Sequence, residues 1–114
     1  MRLSCPSWLF AASLACLPAW AAQQHVSFAV SAGRIANPAP TVRVTQGNTL
    51  VLELRSDSAL ELHLHGYDRS LQLKPGTPGR LQLQANTPGR YPLAPHGKGQ
   101  HHGRALLYLE VQPK

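Results

Sequence analysis

Apolar and polar residues alternate along most of the chain. Val26, Phe28 and Val30 stand between Ser27, Ala29 and Ser31, and Val42 and Val44 flank Arg43. Leu50, Leu52 and Leu54 interleave with Val51, Glu53 and Arg55; Leu60, Leu62 and Leu64 do so with Glu61, His63 and His65. Shorter runs follow at Leu71 and Leu73, Leu81 and Leu83, and Tyr91 and Leu93, before Leu107, Leu109 and Val111. A period of two sends successive side chains to opposite faces of a strand. Each run therefore predicts a strand with one face on a core and the other toward water. No long stripe at helical spacing competes. Leucine is a weaker strand former than valine or isoleucine, so 60–64 alone admits a helical turn; its strict alternation and Gly66 favour strand.

Turn residues punctuate these runs: Gln46-Gly47-Asn48, Ser56-Asp57-Ser58, Pro75-Gly76, Pro78-Gly79 and Asn86 to Gly89. Pro-Gly-Arg at 78–80 and again at 88–90 marks two turns rather than a repeated unit. Segment 33–40 reads as a connection, and 95–103, polar and glycine-rich, as a loop before a last strand over 105–111. Short strands at this spacing predict an all-β sandwich or barrel.

The first residues follow a different rule. Met1-Arg2 is a positive start, Leu3 to Leu17 is largely apolar, and Pro18 precedes Ala19-Trp20-Ala21. That order matches a secretory signal peptide with an A-x-A cleavage site, and the apolar run falls short of the roughly 20 residues of a spanning helix. The expected division is a signal peptide over 1–21 and one domain over 22–114, exported to the periplasm with no transmembrane span in the mature chain. Lipid attachment at Cys16 is the variant reading, with Ser13 where such sites usually carry leucine. Both cysteines, Cys5 and Cys16, fall in the leader. The mature domain then has neither disulfide nor thiolate, and rests on packing alone or on packing plus a bound metal.

Charge narrows the partners. Arg2 leaves with the leader, so ten of the 11 Lys and Arg remain against five acids, a net charge of +5. They are scattered, which argues against a nucleic-acid arm; a solvated basic surface is the plain reading and an anionic partner the other. The acids Glu53, Asp57, Glu61, Asp68 and Glu110 are dispersed, and Ser58 and Ser70 lack a G-x-S-x-G context. No catalytic constellation emerges, and no enzyme is expected.

The histidines form two groups: His63 and His65, then His96, His101 and His102. His63 and His65, two apart on a strand, share a face. Imidazole suits copper, zinc, nickel and iron, so a loop carrying three histidines and a strand carrying two compose a candidate metal site. The competing reading is ordinary surface histidines. His25, close to the new N-terminus, is expected to be disordered rather than a ligand.

The run Val42 to Leu54, then Ser56-Asp57, then Glu61-Leu62-His63-Leu64-His65-Gly66-Tyr67-Asp68 resembles cupredoxin-like domains of exported bacterial proteins. Pro75-Gly76, Pro88-Gly89-Arg90-Tyr91 and Leu106 to Pro113 continue the likeness, which covers nearly the whole chain from Val26. The resemblance implies a Greek-key β-sandwich. It also implies copper at one end, held by a histidine near the end of one strand and by the loop before the last. His65 then matches the first ligand. Plastocyanin-like proteins carry Cys-x-x-His followed by methionine; here the stretch is Leu93-Ala94-Pro95-His96, with His101 or His102 near the methionine position. Leu93 thus stands where the cysteine would be, and a blue-copper centre requires that thiolate.

The expected ligands are His65, His96 and His101, with His63 and His102 in reserve. The expected metal is Cu(II), preferred over zinc by the Irving–Williams order. Asp68 is expected at the surface, with orientation of a histidine as its alternative role. Tyr67 and Tyr91 are expected as core or rim aromatics. These readings imply a non-catalytic copper-binding module for storage, delivery or sensing. The alternatives are a metal-free sandwich that binds another periplasmic protein or an anionic surface, and electron transfer through an all-histidine site.

Overall fold

The computed structural model of the protein describes residues 22–96 and 104–114. The leader expected at 1–21 and the ligand candidates His101 and His102 lie outside them. Among the described residues the chain forms eight strands: β1 (Gln23–Val30), β2 (Thr41–Thr45), β3 (Thr49–Ser56), β4 (Leu60–Leu64), β5 (Arg69–Leu73), β6 (Gly79–Gln84), β7 (Gly89–Pro95) and β8 (Leu107–Gln112). They build two sheets, in the orders β1-β3-β6 and β2-β8-β7-β4-β5. The chain passes repeatedly from one sheet to the other; β4–β5 and β7–β8 are the consecutive strands that pair within a sheet. This is an all-β, cupredoxin-like Greek-key sandwich.

The alternation read from the sequence sets the two faces. Leu50, Leu52 and Leu54 of β3 and Leu81 and Leu83 of β6 point inward from the first sheet. Leu62, Leu64, Leu93, Leu107, Leu109 and Val111 meet them from the second. Burial of these leucines and valines is the main driving force of the fold. One outward position departs from the expectation. Val51 is 2% exposed, because β3 is the middle strand of its sheet and its register partners His25 and Gln82 flank it on both sides.

His25 is also corrected: it is an exposed residue within β1, paired with Val51, not part of a frayed end. The stretch 60–64 is a strand, because pairing with β5 on one side and β7 on the other overrides leucine's weak preference. The turn after β5 is set by Pro75 and Gly76. Thr77 N–H donates to Lys74 O at 3.2 Å, and Gly76 takes φ 77°, the conformation that a type II turn demands at that place.

The last strand begins later than expected, at Leu107. Just before it Leu106 N–H donates to Leu93 O at 2.8 Å, while Leu93 pairs with Leu107. Two consecutive residues thus oppose one, as in a β-bulge, and both Leu106 and Leu107 are buried.

Candidate metal centre

The site grows from the outer face of the five-stranded sheet. On β4, Leu62 and Leu64 take the core side, so His63 takes the other. Its cross-strand partners are Ser70 on β5 and Ala94 on β7, and these small side chains leave room for large ones nearby. The same register sets Glu61 opposite His96, whose N–H donates to Glu61 O at 2.8 Å. His96, one residue beyond β7, is thereby fixed on the His63 face, and ladder parity sends His65 there too.

The three imidazoles meet. The His63 ring centroid lies 4.7 Å from that of His65, edge to face at 84°, and 5.7 Å from that of His96, tilted by 42°. His63 stands between them and is half-buried; His65 and His96 are exposed. Among the described residues, no three His, Cys, Asp or Glu side chains already adopt a metal-holding arrangement. The rings form a contacting row rather than a closed cage.

His63 has a defined second partner. Its Nε2 lies 3.1 Å from Asp68 Oδ1. An ionised carboxylate only accepts, so Nε2–H donates, and the neutral ring then keeps its lone pair at Nδ1. That Nδ1 is buried and has no hydrogen-bond partner among the described residues. A buried polar atom without a partner is costly and uncommon. Asp68, with 98% of its side chain exposed, contributes little as an ion pair; what it does is fix the tautomer.

The turn that carries Asp68 is clamped. Gly66 takes φ 94°, and a Cβ there would clash with the edge of the Tyr91 ring. Tyr91 packs edge to face on Tyr67, centroids 4.7 Å apart. Tyr67 Oη both donates to Thr87 O and accepts from Thr87 N–H, at 3.0 and 3.1 Å. Tyr91 Oη shares its one proton between the neighbouring Thr87 and Pro88 carbonyls, at 2.9 and 3.0 Å. Burial, then repulsion from Tyr67, pushes the Tyr91 phenol above its usual pKa. The two tyrosines tie the 65–68 turn to the 86–89 turn.

Pro92 ends the pairing beside this turn. His65 N–H donates to Pro92 O at 3.1 Å, and the return bond of that antiparallel pair would need a Pro92 N–H that proline lacks. The β4–β7 ladder stops there, and the chain can bend at Gly66.

Leu93 is 0% exposed and faces the core. The sequence signals located the histidines and left Asp68 with its surface reading first; its contact with His63 depends on a turn whose closure the local pattern does not encode. The tyrosine clamp had no signal beyond two aromatics near turns.

Comparison with solved structures supports this fold. A multicopper oxidase crystal structure matches at TM-score 0.65 and 18% identity, over 86% of this chain and 45% of that one. A copper binding protein solved by NMR in the apo form matches at 0.60 and 13%, over 79% and 88%. The Cu-containing nitrite reductase from Thermus scotoductus SA-01 matches at 0.60 and 23%, over 82% and 28%. The chain thus spans less than half of either enzyme, and at these identities the likeness is one of fold. No family model and no curated protein matches the sequence.

Proposed function

We propose that this is an exported, non-catalytic copper-binding module that holds Cu(II) on imidazole nitrogens, without a blue-copper centre. The observation that carries the reading is the His63 ring, which stands between the rings of His65 and His96 with Nε2 engaged by Asp68 and a buried Nδ1 that has no partner among the described residues. A carboxylate on one nitrogen of a histidine, with the other nitrogen free, is the arrangement that orients metal-binding imidazoles and raises their basicity. His63 therefore moves from reserve to central ligand, beside His65 and His96. His101 and His102 join them on the sequence argument, five and six residues after His96. Nitrogen donors rank Cu(II) above zinc, the second choice. The fold neighbours named for copper agree with a copper role.

The donor set does not fit a blue-copper site. Such a site needs a thiolate converging with the imidazoles, and residues 22–114 hold no cysteine. Exposed His65 and His96 leave a bound ion open to ligand exchange, which suits storage, delivery or sensing. The leader pattern over 1–21 is what supports a periplasmic setting for this role.

Titration of the purified mature domain with Cu(II), followed by visible absorption and electron paramagnetic resonance, tests the reading. A saturable signal of nitrogen-coordinated copper is expected. His63→Ala and His96→Ala should each weaken affinity at least about tenfold, and Asp68→Ala about 10–100-fold. No copper signal, or three variants that bind like the parent, would sink it.

A further inference from the structure

A second site lies away from the histidines. Segment 32–39 curls beside β7 and β8 and encloses an open cavity of about 740 Å³. Among the described residues three arginines line it, Arg34, Arg90 and Arg104, with Asn37 and Tyr108 as further polar groups and no acid. They come from three separate stretches, so the fold assembles the charge and the sequence does not.

Two of the arginines are held in place by their surroundings. Arg34 closes a turn with Ser31, whose N–H donates to Arg34 O at 2.8 Å and whose carbonyl accepts from Arg34 N–H at 3.0 Å. The central residues Ala32 and Gly33 have φ 51° and 75°. A positive φ at alanine costs free energy, and Asp57 offsets it: both its carboxylate oxygens lie 3.2 Å from the Ala32 N–H, and Oδ2 accepts from Ser31 Oγ at 3.3 Å. Arg90 lies over the Tyr108 ring, Cζ 4.3 Å from the centroid, which leaves its in-plane N–H groups to donate outward. Glu110, the register partner of Arg90, pairs with Arg43 at 3.8 Å. Among the described residues, Arg34, Arg90 and Arg104 have no ion-pair partner within 4.0 Å.

We propose that this cavity binds a small organic oxyanion. Its carboxylate or phosphate groups meet the three guanidiniums, and its carbon skeleton lies against Ile35, Pro38 and Pro95. Guanidinium forks match both oxyanions bidentately. The volume falls in the range of small-molecule pockets, about 300–1,000 Å³, and exceeds what one inorganic ion fills.

Calorimetric titration of the full domain, in chelator-dialysed buffer near 0.15 M salt, tests this with citrate, glucose 6-phosphate and inorganic phosphate as probes. Saturable 1:1 binding of citrate or glucose 6-phosphate is expected, and which one binds separates carboxylate from phosphate recognition. Arg34→Gln and Arg104→Gln should each weaken it about tenfold. Arg80→Gln, an exposed charge on β6, should leave it unchanged, with thermal melts confirming that all variants fold. Absence of saturable binding by both organic probes, equal weakening by Arg80→Gln, or inorganic phosphate binding as tightly as either organic probe would overturn the proposal.

Discussion

Gly66 shows how much one residue can decide here. Its backbone sits at φ 94° and its missing side chain is where the Tyr91 ring packs. An alanine would meet two penalties together: about 1–2 kcal/mol for left-handed backbone and about 1–3 kcal/mol for overpacking. Gly66→Ala should therefore lower stability by roughly 2–5 kcal/mol, read by urea unfolding; a loss below about 0.5 kcal/mol, the usual range for surface changes, would show that the clamp is not rigid. His63 and Asp68 belong to the same scale. The sequence placed His63 and His65 on one face, and the rings do meet. It offered orientation of a histidine only as the alternative role of Asp68, because five residues of separation bring Asp68 to His63 only once the turn has closed.

At the scale of elements, β7 separates two chemistries. Leu93 points into the core, while Ala94 and His96 follow the other parity onto the His63 face. A cysteine at the vacancy marked by the family resemblance would thus sit on the side of the strand away from these imidazoles. Leu93→Cys is expected to give no intense blue colour with Cu(II), and to cost about 1–3 kcal/mol as a partial cavity in the core. A blue charge-transfer band in that variant would show that thiolate and histidines converge after all. Pro92 of β7 fits the same picture. Pro92 sits where the β4 ladder terminates, so its missing N–H forfeits a bond at the end of the pairing rather than in its middle. Strand identity was legible from periodicity; the bulge at Leu106 was not, since it depends on how β8 meets β7.

For the whole molecule, stability comes from one sandwich core without a cross-link in residues 22–114. A ligand that binds only the folded state must raise stability, by about 2.7 kcal/mol at one hundred times its Kd. Saturating Cu(II) is therefore expected to raise the melting temperature, and the gain should shrink as pH falls because protons compete for the imidazole nitrogens. An unchanged melting curve at neutral pH would favour the metal-free interaction module. Among the described residues, the two ion pairs between carboxylates and arginines, at 3.8 and 3.9 Å and largely exposed, contribute little to this balance.

The sequence by itself determined which faces are apolar, where most turns fall, and that residues 22–114 offer imidazoles and no thiolate. These are local properties, because a period of two and the preferences of glycine and proline act over a few residues. The tertiary structure decided what convergence requires. Register between β4 and β7 brought His63 and His96 together and set Leu93 on the opposite face. The path of segment 32–39 past β7 and β8 gathered three arginines that lie far apart in the chain. Pairing partners and sheet packing are set by contacts between distant residues, and the alternation along any one strand carries no record of them.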